Sequence, residues 1–230
     1  METEFGTIAT PNITPDRATG IGAWDEADFV QAMRWGIAPD GSHYVPAFPF
    51  PYFGGLTDSD LADLKAFLDS LKPVPQSIAA PQSLGLFERA RAAMGTAIMA
   101  NFAIQLAPPK DLVAARGAYL VTTVGHCGDC HTPLTWLGAP DAENYLAGSR
   151  GGLQGKKAPN ITPDSESGIG QWSEDDILSL LKDGMTPDGD FVGGAMAEIV
   201  RNTARLTDDD RRAIAAYLKT VPPKTFVKNN

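Results

Sequence analysis

The sequence predicts a mainly helical protein of two related halves joined by a long linker, the first half truncated at its front. Three observations predict it: a block of residues recurs at a constant offset, helix start and stop signals recur with it, and no stretch alternates polar and apolar residues as a half-buried strand does. With 230 residues, 43% hydrophobic and 20% charged, the chain suits one large or two small globular domains and is too apolar to be disordered.

The repeat opens with Pro11-Asn12-Ile13-Thr14-Pro15-Asp16, Gly20-Ile21-Gly22 and Trp24. It returns as Pro159-Asn160-Ile161-Thr162-Pro163-Asp164, Gly168-Ile169-Gly170 and Trp172, an offset of 148. Pro39-Asp40-Gly41 and Pro187-Asp188-Gly189 keep that offset; a two-residue insertion then makes it 150, pairing Leu56-Thr57-Asp58 with Leu206-Thr207-Asp208. In each half a helix is expected after the Trp, Asp25 to Trp35 and Ser173 to Lys182, with acidic residues at its positive N-terminal end and a glycine, Gly36 or Gly184, to stop it. Thr57 and Thr207 each precede an Asp in the reciprocal capping position, and each opens a second helix, Leu61, Leu64, Phe67, Leu68 and Leu71 giving the apolar face of the first. Prolines end both, Pro73 and Pro222-Pro223. The second half alone has a front end, from about Leu112, holding the helical run LVAARGAYLVTTVG and both cysteines. The expected boundaries are a truncated first repeat over 1–75, a linker over 76–111 and a complete repeat over 112–230.

The linker includes an uncharged run between Arg91 and Lys110. A membrane span needs about 20 predominantly apolar residues, and Thr96, Asn101, Gln105 and Pro108-Pro109 interrupt this one, so a buried helix is expected, with a partner or bilayer surface as the alternative. The opening METEFGTIATPNITPD has neither the basic nor the apolar region of a secretory leader. Twenty-eight acidic against 19 basic side chains give a net charge of -9, which excludes phosphate-backbone binding as a main role and favours a basic partner.

Chemistry concentrates in His126-Cys127-Gly128-Asp129-Cys130-His131. Cys-x-x-Cys-His is the attachment sequence of a c-type haem: two thiols at this spacing each add to a porphyrin vinyl group, and the adjacent imidazole faces the iron. Two other readings compete with it. A thioredoxin-like pair belongs beside a βαβ pattern, which is lacking, and a zinc site built from His126, Cys127, Cys130 and His131 would have to close a tetrahedron within six residues. A sixth iron ligand belongs on a loop before the last helix, where Met196 lies; Met185 is the rival, while Met94 and Met99 read as packing residues. A His/Met pair fills both axial positions and suits electron transfer.

The runs Arg116-Gly117-Ala118-Tyr119-Leu120-Val121, Gly125-His126-Cys127 to Cys130-His131-Thr132-Pro133, Leu137-Gly138-Ala139, Leu146-Ala147-Gly148 and Ala158-Pro159-Asn160-Ile161-Thr162 closely resemble the multihaem cytochrome c subunits of membrane-associated alcohol, aldehyde and gluconate-type dehydrogenases. So does the ending, from Met196 through Asn202-Thr203 to Ala215-Ala216-Tyr217-Leu218. The resemblance implies two cytochrome c-like helical domains passing electrons from a dehydrogenase catalytic subunit toward quinone or an oxidase, in the periplasm, with possible peripheral membrane association. It also implies one covalently bound haem c (heme c) here, with thioether bonds at Cys127 and Cys130, His131 as proximal and Met196 as distal ligand. Asn160, Ile161, Thr162 and Trp172 would lie beside the haem, within reach of its propionates, and Arg150, Lys156 and Lys157 could neutralise them.

The first repeat departs from this pattern. It has no Cys-x-x-Cys-His, and Phe48 stands at the 148 offset from Met196. A haemless pocket filled by Phe48, Tyr44, Phe50 and Phe53 is expected, with His43 a surface histidine and the chain's front and leader missing from these residues. The leading expectation is an electron carrier rather than an enzyme. The alternatives are a haem peroxidase or ligand sensor with a displaceable Met196, and a structural adaptor in a dehydrogenase complex.

Overall fold

The computed structural model describes residues 2–3, 6–7, 9–44, 48–78, 109–135, 140–150 and 157–225. The linker run from 92 to 108, with Met94 and Met99, and Lys156 lie outside them. The chain forms two compact units, Met1–Ala103 and Ile104–Asn230. No helix among the described residues is long and apolar enough to cross a membrane.

Unit one begins with an antiparallel pair, β1 (Glu2–Thr3) and β2 (Gly6–Thr7), too short to leave an alternating pattern in the sequence. Helices α1 (Glu26–Trp35), α2 (Phe50–Phe53) and α3 (Asp58–Asp69) come next. Unit two is helical: α4 (Leu112–Tyr119), α5 (Gly128–His131), α6 (Glu174–Asp183), α7 (Gly194–Thr203) and α8 (Asp208–Thr220).

The caps form where the sequence places them. Asp25 and Ser173 are N-caps in reciprocal boxes with Asp28 and Asp176, and Gly36 and Gly184 end α1 and α6 in the left-handed conformation. The second pair of caps is only half reciprocal. Thr57 and Thr207 accept the amides of Asp60 and Asp210; Asp60 receives the Thr57 hydroxyl, and Asp210 is also held by Arg116 Nε of α4, at 2.8 Å.

The repeat is structural to the level of single hydrogen bonds. Ile21 N–H reaches Thr14 O at 3.0 Å and Ile169 N–H reaches Thr162 O at 2.9 Å; Tyr44 N–H reaches Gly36 O at 2.8 Å and Val192 N–H reaches Gly184 O at 2.9 Å. Isolated bridges Ile37–His43 and Met185–Phe191 coincide at the same offset. One joint is solved differently. In unit two the buried Arg211 bonds the carbonyls of Thr203, Ala204 and Leu206 and the Asp208 carboxylate, whereas in unit one a leucine, Leu61, occupies that position and Arg34 of α1 reaches Leu56 O and Asp58.

The core of unit two is built where α4 crosses α8. A Cβ on Gly117 would stand 1.8 Å from Ala213 O and 2.8 Å from Tyr217 Cβ, so the backbones meet only because position 117 has no side chain. The crossing buries Ile214, Ala215, Tyr217, Leu218 and Val221 with Leu120 and Val121. The corresponding face of α3 in unit one has no such cover among the described residues: Phe67, the counterpart of Tyr217, is 60% exposed against 3%. Substituting Gly117→Ala should therefore lower the stability of unit two by about 1–3 kcal/mol, the usual cost of overpacking, measured by chemical denaturation; an unchanged midpoint would contradict the crossing.

Candidate functional site

The chain reaches the cysteines through a distortion. After Tyr119 the helix widens into a π-turn over Leu120–Val124, closed by Gly125 N–H to Leu120 O at 2.7 Å. Such single-turn bulges concentrate at functional positions because the extra residue re-aims the side chains beyond it. His126 then adopts φ 35°, a left-handed value that histidine tolerates better than most residues, and Cys127 N–H returns to Val121 O at 3.0 Å.

Within α5, His131 N–H bonds Cys127 O at 3.0 Å and Cys130 N–H bonds Cys127 O at 3.3 Å. Positions i, i+3 and i+4 of a helical turn share a face, so the two thiols and the imidazole project together. The glycine between the cysteines is fixed by packing: a Cβ on Gly128 would lie 2.6 Å from the Tyr145 ring. The segment after Tyr145 holds α5 from below, Leu146 N–H reaching the buried Thr132 hydroxyl at 3.1 Å and Gly148 N–H reaching His131 O at 2.7 Å. Ser149 and Ala158 then exchange two 2.8 Å hydrogen bonds, and the next residue, Pro159, places its carbonyl 2.8 Å from His131 Nδ1.

That bond assigns the imidazole. A carbonyl accepts only from N–H, so Nδ1 carries the proton and Nε2 keeps its lone pair, the form that binds metal. Burial pushes the His131 pKa below the ordinary histidine value, with the Pro159 carbonyl opposing it, so the ring is neutral at pH 7. Burial also raises the Cys127 thiol to about 11, its neighbour Cys130 adding to the effect, whereas Cys130 is exposed. His126 Nδ1 lies 3.8 Å from Asp129 Oδ2, and burial lifts the Asp129 carboxyl to about 6.

The residues present suit a covalently held haem: two thiols and a pre-aimed imidazole on one helical turn, beside an orphaned hydroxyl. Tyr217 Oη is buried with no hydrogen-bond partner among the described residues, in the apolar cluster against which Cys127 packs, and its pKa is raised to about 12 by that burial and by Cys127. Among the described residues no group of three or more His, Cys, Asp or Glu side chains could hold a metal ion, which leaves the zinc arrangement without support.

Met196 is half-buried in the first turn of α7, on a separate element from His131, and Met185 is exposed at the Met185–Phe191 bridge. The polar groups of Asn160 and Thr162, expected beside propionates, are engaged elsewhere: Asn160 Nδ2 donates to Ser167 Oγ at 3.0 Å and Lys224 O at 2.5 Å, and Asn160 Oδ1 accepts the amide and hydroxyl of Thr162. Ile161 N–H bonds Leu146 O at 3.0 Å, and Ile161 and Trp172 pack on the core cluster, the Trp172 carbonyl receiving Lys219 Nζ. Arg150 and Lys157 line an open pocket with Ser149, Ala158 and Pro159. In unit one, His43 is exposed, and the Phe48 ring lies 5.6 Å from those of both Tyr44, edge-on, and Phe53, tilted, while Phe50 is buried against Gly36. Sequence reading missed Pro159, Tyr217 and Tyr145 as parts of the site. Pro159 stands within the repeated block, but nothing local ties it to a histidine 28 residues earlier.

Known proteins resemble this chain along nearly its whole length. The cytochrome c family profile matches residues 114–222. A diheme cytochrome c-type protein of Cereibacter sphaeroides is 44% identical over 96% of this chain and 74% of its own length. The gluconate 2-dehydrogenase cytochrome c subunit of Pantoea cypripedii is 38% identical over 97% of this chain, and the cytochrome c subunit of the quinone alcohol dehydrogenase of Gluconobacter oxydans 39% identical over 100%. The chain spans about half the length of these last two, 53% and 50%. With the paired cysteines and the pre-aimed imidazole on one turn, these likenesses place the chain in the cytochrome c family, proteins that carry electrons on a covalently attached haem.

Proposed function

We propose that this chain is an electron-transfer subunit that takes electrons from the catalytic subunit of a dehydrogenase and passes them to a quinone or oxidase-side acceptor in the periplasm, with peripheral membrane association. The observation that carries the reading is the His131–Pro159 hydrogen bond on the turn that bears both cysteines. Relatives named as cytochrome subunits of gluconate, alcohol and fructose dehydrogenases support a dehydrogenase partner.

In this reading Cys127 and Cys130 would hold the haem through thioether links, and His131 through Nε2 and Met196 through Sδ would hold its iron. When bound, the haem supplies a one-electron ferric/ferrous couple. The protein's part is to keep the imidazole neutral and oriented, to exclude water with the cluster around Val121, Tyr145 and Tyr217, and to occupy the distal position with a thioether, which holds the potential above that of a bis-histidine site. In this reading the chain attaches one haem, at Cys127 and Cys130, the two cysteines of its 230 residues, and Phe48 stands at the 148 offset from Met196 in unit one.

Three measurements check this. Protein matured with haem-attachment machinery should show one haem per chain by pyridine haemochrome and intact mass, and Cys127→Ser with Cys130→Ser should show no covalent haem. The reduced spectrum should be unchanged by carbon monoxide, whereas Met196→Ala should bind it near-stoichiometrically; a large response in the parent would overturn the axial pair. In the haem-free chain at pH 8, Cys130 should be alkylated well before Cys127, the gap closing as pH rises toward 11 and Cys127 ionises; equal rates by peptide mass would contradict its burial.

A further inference from the structure

The carbonyl that orients His131 belongs to a residue anchored on both sides. On one side stands the Ser149–Ala158 bridge. On the other, Asn160 and Thr162 grip the main chain beyond α8: Asn160 Nδ2 donates to Lys224 O at 2.5 Å, and Lys224 N–H donates to Thr162 Oγ1 at 3.0 Å. Asn160 and Thr162 are almost fully buried, 3% and 0% exposed, and the Asn160 side chain has all its hydrogen-bonding groups engaged.

Unit one contains the same clasp. Asn12 Nδ2 donates to Val74 O at 2.8 Å and to Thr19 Oγ1 at 3.0 Å, Asn12 Oδ1 accepts from Thr14, and Val74 N–H reaches Thr14 Oγ1 at 3.1 Å. The clasp is thus a feature of the repeat itself, and in unit two the turn it anchors also carries the carbonyl that meets the His131 ring.

The geometry points to Asn160 and Thr162 as positioning residues for the proximal ligand: by holding the main chain at Lys224 they fix the Pro159 carbonyl on His131 Nδ1, and so set how much electron density the imidazole gives to iron. This rests on the haem reading above and assigns these two side chains to His131 rather than to the propionates. A strong Nδ1–H···O=C bond gives the ring imidazolate character and favours ferric iron, since second-shell bonds raise ligand basicity and tune potential. Loosening the clasp weakens that bond, and the potential rises.

The test uses the haem-loaded chain. Asn160→Asp keeps the acceptor for Thr162 but loses both amide donors. Lys224→Pro, continuing Pro222-Pro223, removes the N–H that meets Thr162 along with the lysine side chain, for which Lys224→Ala is the control, and it leaves the core untouched should Asn160→Asp fail to fold. Asn12→Asp makes the first change in unit one. Both unit-two variants should shift the one-electron equilibrium roughly three- to tenfold toward reduced iron, about 28 to 59 mV at 59 mV per decade, and Asn12→Asp should leave it in place. In the haem-free variants, exchange of the His131 Nδ1 proton, monitored by nitrogen-15 NMR, should quicken. Loaded variants that keep both the parent potential and the parent proton exchange would overturn the assignment, and so would an equal shift from Asn12→Asp. A parent chain that takes up no haem defeats the haem reading itself, and proton exchange in the haem-free chain then decides the clasp alone.

Discussion

A single hydrogen bond, from the Nδ1 of His131 to the carbonyl of Pro159, imposes a condition that most of unit two serves. An imidazole on a short helix is free to turn about two bonds, and a turned ring would lose the carbonyl and present its other nitrogen in a different direction. Fixing it requires a rigid helix turn beneath it and a rigid acceptor opposite. The first comes from the π-turn, the packing of Tyr145 over Gly128 and the α4–α8 crossing; the second comes from the Ser149–Ala158 bridge and the turn beyond it. These elements lie far apart in sequence, and their convergence is what the fold accomplishes.

The two units hold nearly the same frame around different contents. In unit two a ten-residue helix carries Met196, while in unit one the corresponding chain is dense in prolines, makes the short α2 as its one helix among the described residues, and presents a cluster of aromatic rings. Proline explains the contrast, because it removes amide donors and obstructs the preceding turn. Arg34 and Arg211 make the same point about energetics. The carbonyl of the Leu56/Leu206 residue and the Asp58/Asp208 carboxylate both take a guanidinium, yet the arginine is delivered from a different helix in each unit, so the requirement lies in the acceptors and not in the position of the donor.

Much of this was legible because it is local. Asp25 with Asp28, Ser173 with Asp176, and the glycines after α1 and α6 act within a turn of one another, and the helices begin and end where those residues say. Cys127, Cys130 and His131 likewise sit within one helical turn, so their common face could be read from spacing. What escaped was non-local. Asn160 meets Lys224 across 64 residues, Pro159 meets His131 across 28, and Gly117 owes its identity to Ala213 and Tyr217 on another helix. A polar Asn-x-Thr turn beside an expected haem invites the propionate reading, and only the path of the chain after α8 shows another acceptor within its reach. Asp210 illustrates the same limit at a cap, where Arg116 captures a carboxylate that local rules assign to the helix end.

The turns 12–24 and 160–172 are the same length, share their hydrogen-bond pattern, and differ at four positions, one of them Thr19 for Ser167, which conserves the hydroxyl. They are interchangeable parts. Gene conversion between the two stretches would exchange four side chains and keep the shared main-chain hydrogen bonds, so the duplicated motif can stay alike while the segments it frames differ, one carrying Met196 and the other a cluster of aromatic rings.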